Sequence, residues 1–201
     1  DTPGIDWQTN YLHVGPFVEA DWRDQPGDPH PGRIIGVNHE WNLDRAVGGF
    51  SFRRVQAYVE QYLPFFNEKR VVALRARSSW TYSRPGDVVP FYMQATLGGP
   101  NDLRGYSQFR FYDNNSLVLN AEYRRELGMP VDLVLFTDWG KVFPKPGALA
   151  FSELHGSAGV GFRFKTRSSV VMRMDFGFSP EGVRFWWAFS DIFRGFLHNL
   201  Y

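Results

Sequence analysis

The chain has 201 residues, a near balance of 22 Lys+Arg against 21 Asp+Glu, no Cys, and a 17% aromatic share made of Phe 19, Tyr 9 and Trp 7. Basic residues are spread along the chain, which excludes an electrostatic footprint for nucleic acid. The missing Cys removes disulfides, thiolate catalysis and Cys-based metal sites, and no run of about 18 apolar residues is available for a spanning helix. The aromatic excess suits the girdles of a membrane β-barrel. The chain opens on Asp1-Thr2-Pro3-Gly4 without a leader segment, as in a mature form or a truncated piece.

In chain order, alternating segments predict strands near Val14 to Arg23, Ile34 to Asn42, Phe52 to Leu63 and Val71 to Tyr82, joined by turns at Pro26 to Gly32, Asp44 to Gly49 and Phe66 to Arg70. Ser83 to Ser116 does not alternate, and a loop of that length in a compact domain is usually functional or disordered. Its Gly and aromatic residues argue against simple disorder. The clearest strand follows, Leu117 to Glu126. Leu117, Leu119, Ala121 and Tyr123 share one face, and Asn120, Glu122, Arg124 and Glu126 the other.

After Gly128-Met129-Pro130, Val131, Leu133, Leu135 and Trp139 lie opposite Asp132 and Asp138. A loop at Pro144 to Gly156 leads to Ser157 to Lys165, where Ala158, Val160, Phe162 and Phe164 alternate with Gly159, Gly161, Arg163 and Lys165. Two more segments complete the series, from Val170 to Phe178 and from Val183 to Phe193. The total is about nine strands, and segments of roughly ten alternating residues are the signature of membrane barrels. A soluble sandwich or lipocalin-like barrel also alternates. Here, however, the polar face carries charges on nearly every strand, among them Glu19, Glu40, Arg54, Glu60, Arg75, Arg77, Arg173, Asp175 and Arg184, and these need water or partners.

Three motifs stand in order: Leu103-Arg104-Gly105-Tyr106 in the long loop, Glu122-Tyr123-Arg124, and Phe136-Thr137-Asp138-Trp139-Gly140. Together they resemble the C-terminal barrel of the BamA superfamily, also called the bacterial surface antigen family. Leu97-Gly98-Gly99, Trp22-Arg23-Asp24 with Pro26 and Pro31-Gly32, and Gly159-Val160-Gly161-Phe162-Arg163 add to the resemblance. It implies that Arg104, at the tip of an extracellular loop spanning 83–116 and folded into the lumen, contacts Glu122 and Asp138, with Phe136 and Gly140 completing the second strand motif. Alternation alone already places Glu122 and Asp138 on the polar face. A guanidinium bridging two carboxylates would fix a long loop inside a barrel. The same triad could be a staple on which no step of transport depends.

The expected fold is therefore all-β, an antiparallel transmembrane β-barrel with about 8–9 strands in this chain. With the long loop outside, Val14 to Arg23 descends and Asp1 lies outside, so nine strands do not make one complete bacterial barrel, whose strand number is even. The chain reads as the C-terminal half of a sixteen-stranded barrel, or as an eight-stranded small or composite barrel. It forms a single domain over 1–201, without the periplasmic modules that the family places before the barrel.

The resemblance implies insertion, assembly or translocation of proteins at the bacterial outer membrane. A weak seam would open laterally beside the last strand, with Phe185, Trp187, Phe189 and Phe193 on it. A passive pore, or the membrane anchor of a removed effector domain, is the alternative. The expected partners are outer-membrane lipid, client outer-membrane or secreted proteins, and another copy in an oligomer or composite barrel. No enzyme activity, cofactor or metal is expected. His13, His30, His39, His155 and His198 lack metal-ligand spacing, and no Ser occupies a G-x-S-x-G elbow.

Overall fold

The structure is a computed structural model that describes all residues except 1–3, 7–8, 67–68, 129, 167–168 and 190–201. Period-two patterning is realised as one ten-stranded antiparallel sheet. Its strands are β1 (Tyr11–Val14), β2 (Phe17–Asp21), β3 (Gly32–Asp44), β4 (Phe52–Phe65), β5 (Arg70–Ser83), β8 (Asn115–Gly128), β9 (Val131–Phe143), β10 (His155–Lys165), β11 (Val170–Ser179) and β12 (Gly182–Ala188). Each long strand pairs with its neighbour in sequence, from β3 through β4, β5, β8, β9, β10 and β11 to β12. Among the described residues, no pairing joins β12 to β1 or β2, so the sheet is open.

The predicted strand from Val14 to Arg23 is corrected into two pieces, β1 and β2, both lying on β3. Pro16 has no N–H to give to a ladder, and its carbonyl accepts from His39 N at 3.0 Å. A Cβ on Gly15 would lie 1.8 Å from the His39 carbonyl oxygen, so only Gly permits this approach. The two pieces fill one edge position, and the ten strands occupy about the nine positions expected.

The sheet is inside out relative to a soluble protein. Along β8, Val118, Asn120, Glu122 and Arg124 are buried, while Leu117, Leu119, Ala121 and Tyr123 between them are partly exposed. Glu60, Arg75, Asp138, Arg163, Arg173 and Asp175 are buried too, whereas Val37, Leu74, Leu135, Phe178 and Phe185 are exposed. Outward aromatics sit near both ends of the strands, with Trp41 and Tyr82 at one end and Phe66 and Trp187 at the other, as girdles do. No helix among the described residues is long and apolar enough to cross a membrane, which says nothing of strands.

The 83–116 segment is ordered. It carries a small two-stranded sheet, β6 (Ala95–Leu97) on β7 (Phe111–Asp113), and packs on the charged face of the large sheet. Leu97, Leu103 and Tyr106 form an apolar cluster with Val118 of β8. A second cluster, Tyr62, Val71 and Ala73, lies toward the opposite end of β4 and β5.

Candidate functional site

The loop reaches the sheet because its backbone turns twice on glycine. Gly98 and Gly99 have φ of 110° and 104°, a region that side chains with a Cβ disfavour. The turn is closed by Leu103, whose carbonyl accepts from Gly99 N at 3.3 Å and Tyr106 N at 3.0 Å. Leu103 is fully buried. Gly105 must be small, since a Cβ there would stand 2.6 Å from the Ser157 Cβ and 2.9 Å from the Phe178 carbonyl oxygen. Tyr106 extends sideways and donates to the Gly156 carbonyl at 3.1 Å.

Between these anchors Arg104 has no exposed surface. Its Nε and Nη2 donate to Asp138 Oδ2 at 2.9 Å and Oδ1 at 2.7 Å, a bidentate fork, and Nη1 donates to Glu122 Oε1 at 2.5 Å. Its backbone N also donates to Asp138 Oδ2, at 3.1 Å. The guanidinium lies 3.5 Å over the Phe136 ring. Burial alone would push the Arg104 guanidinium down; Asp138 and Glu122 outweigh it and hold it above its ordinary value. Charge-assisted pairs of this geometry combine energy with orientation.

The charge network is larger than the predicted triad. Glu122 accepts from Arg163 Nη2 at 3.0 Å and Arg124 Nε at 2.9 Å, and Asp175 Oδ1 accepts from Arg163 Nη1 at 2.7 Å and lies 3.8 Å from Arg104 Nη1. Three carboxylates on β8, β9 and β11 therefore surround the loop cation. Other arginines of the polar face have partners as well. Arg75 donates to Asn120 Oδ1 at 3.0 Å, Arg77 pairs with Asp102, and Arg173 donates to Asn101 Oδ1 at 2.7 Å.

Two glycines make the room. A Cβ on Gly159 would lie 2.3 Å from the Phe136 ring, and one on Gly161 2.2 Å from Asp175 Oδ1. Gly140 leaves space for Leu97 and Leu103 in the same way. The GVGFR motif is thus a pair of inward gaps followed by an inward cation.

Asp175 and Trp186 were not among the predicted site residues. Asp175 carried one signal, its place on the polar face. Trp186 carried the same signal, since alternation sets it opposite the outward Phe185 and Trp187, but an indole on that face does not name its partner. Its Nε1 donates to the Arg104 carbonyl at 2.8 Å, and Ser179 Oγ donates to the Gly105 carbonyl at 2.8 Å. The loop tip therefore touches β8, β9, β11 and β12 together. Of the predicted seam residues, Phe185, Trp187 and Phe189 are exposed on the outward side and away from this network, and Phe193 lies outside the described residues. No group of His, Asp and Glu among the described residues could hold a metal ion.

The model of the Omp85 superfamily domain matches residues 8–184. The chain belongs to the Omp85 superfamily. An Omp85 chain with this sheet is part of an antiparallel β-barrel of the bacterial outer membrane. Among solved structures, the crystal structure of BamA from Haemophilus ducreyi lacking POTRA domains 1-3 matches with a TM-score of 0.70 and 15% identity, over 85% of this Omp85 chain. The match spans 41% of that BamA chain. No curated protein matches.

Proposed function

We infer that this chain is the loop-bearing part of an Omp85 barrel that inserts, assembles or translocates proteins at the outer membrane. The superfamily carries that role broadly, and the finer reading rests on one observation, the Trp186 bond to the Arg104 carbonyl. It ties the buried loop motif to β12, the strand at the open edge of the sheet. An edge strand presents unpaired N–H and C=O groups, the template on which an incoming strand adds. In hydrocarbon such groups need a partner, supplied by other strands of the barrel at rest and by a client strand during assembly. The 83–116 segment would then be an extracellular loop folded into the lumen, holding the wall in register while the edge is exchanged.

The test is client assembly in liposomes carrying the full-length protein. Folding of an outer-membrane client should be faster than in empty vesicles. Equal rates, together with steady single-channel conductance, would replace this reading by the passive pore.

A further inference from the structure

The mouth opposite the 83–116 loop is crossed by the segment between β2 and β3, residues 22–31. Its base is closed by Trp22 N to the Arg33 carbonyl at 2.9 Å and Asp24 N to the Pro31 carbonyl at 3.2 Å. Its shape is set by Pro26, Pro29 and Pro31 and by His30 N donating to Asp24 Oδ1 at 3.1 Å. Three prolines leave such a loop little freedom to lose on ordering.

The far end of this segment does not stay near its own strands. Lys165 Nζ, at the end of β10, donates to Asp28 Oδ2 at 3.0 Å, and Val170 N, at the start of β11, donates to the Gly27 carbonyl at 3.0 Å. Around the wall, β10 lies five strand steps from β3, roughly 24 Å at the usual spacing. Residues 27 and 28 reach it only by running as a chord across the mouth.

The chord is built as a buried contact. Asp28, Asp132 and Lys165 are 6%, 5% and 7% exposed, and Lys165 Nζ also lies 2.9 Å from Asp132 Oδ2. Burial of three charges is tolerated only when they are paired. Beneath the segment, Val71, Lys69, Arg124 and Glu126 line a space of about 10 Å³, room for no more than about one water. The apolar cluster of Tyr62, Val71 and Ala73 stands at this end of the sheet's polar face, where a water-filled mouth would disfavour it.

We propose that residues 22–31 are a strap that shuts the barrel mouth opposite the long loop, with Asp28 on Lys165 as its clasp. Lys165 has two carboxylates available, one on the strap and one on the wall, so it stays neutralised by Asp132 when the strap lifts. Release then breaks the Asp28–Lys165 pair and the Val170–Gly27 backbone hydrogen bond, and strands no unpaired lysine. The strap would govern access to the interior from its own end whatever the barrel transports.

The chain has no Cys, so Val71→Cys gives a single reporter under the strap. Labelling by a membrane-impermeant maleimide is followed in the full-length protein in nanodiscs, where both mouths are open to reagent. Labelling should be slow in the reporter alone and about tenfold faster with Asp28→Asn, a shift of about 1.4 kcal/mol in opening. With Asp132→Asn, which leaves the clasp intact, it should stay within about twofold. Fast labelling of the reporter alone, no effect of Asp28→Asn, or equal effects of Asp28→Asn and Asp132→Asn would each overturn the strap.

Discussion

Removing the Arg104 side chain would leave Asp138 and Glu122 facing each other in a site that water does not reach. Breaking a buried pair from one side costs about 3–5 kcal/mol, although Arg163 and Arg124 stay near Glu122. Arg104→Ala should therefore free the 83–116 loop for proteolysis and lower the heat resistance of the barrel on semi-native gels. Arg104→Lys should fall close to Ala, because one ammonium cannot fork onto Asp138 and also reach Glu122. Unchanged mobility and unchanged loop cleavage in Arg104→Ala would defeat this account. The pairing of Arg104 with Glu122 and Asp138 was legible because alternation assigns both carboxylates to one face. The third carboxylate, Asp175, was visible only as a member of that face. Its approach to Arg104 depends on Gly161 leaving a gap in the neighbouring strand, a cross-strand fact that no local pattern contains.

At the scale of elements, β12 has seven residues among those described, paired on one side to β11. The Trp186 indole adds a bond to the loop that β11 cannot supply. Trp186→Phe keeps the ring and deletes the donor, at a cost of about 1 kcal/mol. Amide hydrogen exchange in β12 should quicken about fivefold, while β8, held by strands on both sides, should not change. Equal exchange in the variant and the parent would remove the link between loop and edge strand. Other elements resisted sequence reading for a similar reason. The break at Gly15 and Pro16 is imposed by close approach of the β3 backbone. The order within 83–116 comes from Leu97, Leu103 and Tyr106 packing on β8, contacts set by the fold and not by periodicity.

At the scale of the molecule, the inward charges and outward hydrocarbon decide the solvent, and one substitution separates the two possibilities. Val59 lies at the middle of β4, outward and 38% exposed. On a water-facing surface, Val59→Arg would change stability by no more than about 0.5 kcal/mol. Facing the bilayer midplane, the same change costs about 2–4 kcal/mol, so unfolding from lipid vesicles should shift to clearly lower denaturant. Val47, in the connection after β3 and 42% exposed, supplies the contrast: Val47→Arg should stay near zero because the connection lies beyond the hydrocarbon. A small and equal effect at both positions would mean that the exposed face of the sheet meets water. The buried arginines would then need another reason to be inside. The charges on Arg104, Arg163 and Arg173 are fully buried, yet they are tolerated because a lipid-facing wall leaves the interior as the only place where carboxylates can meet them.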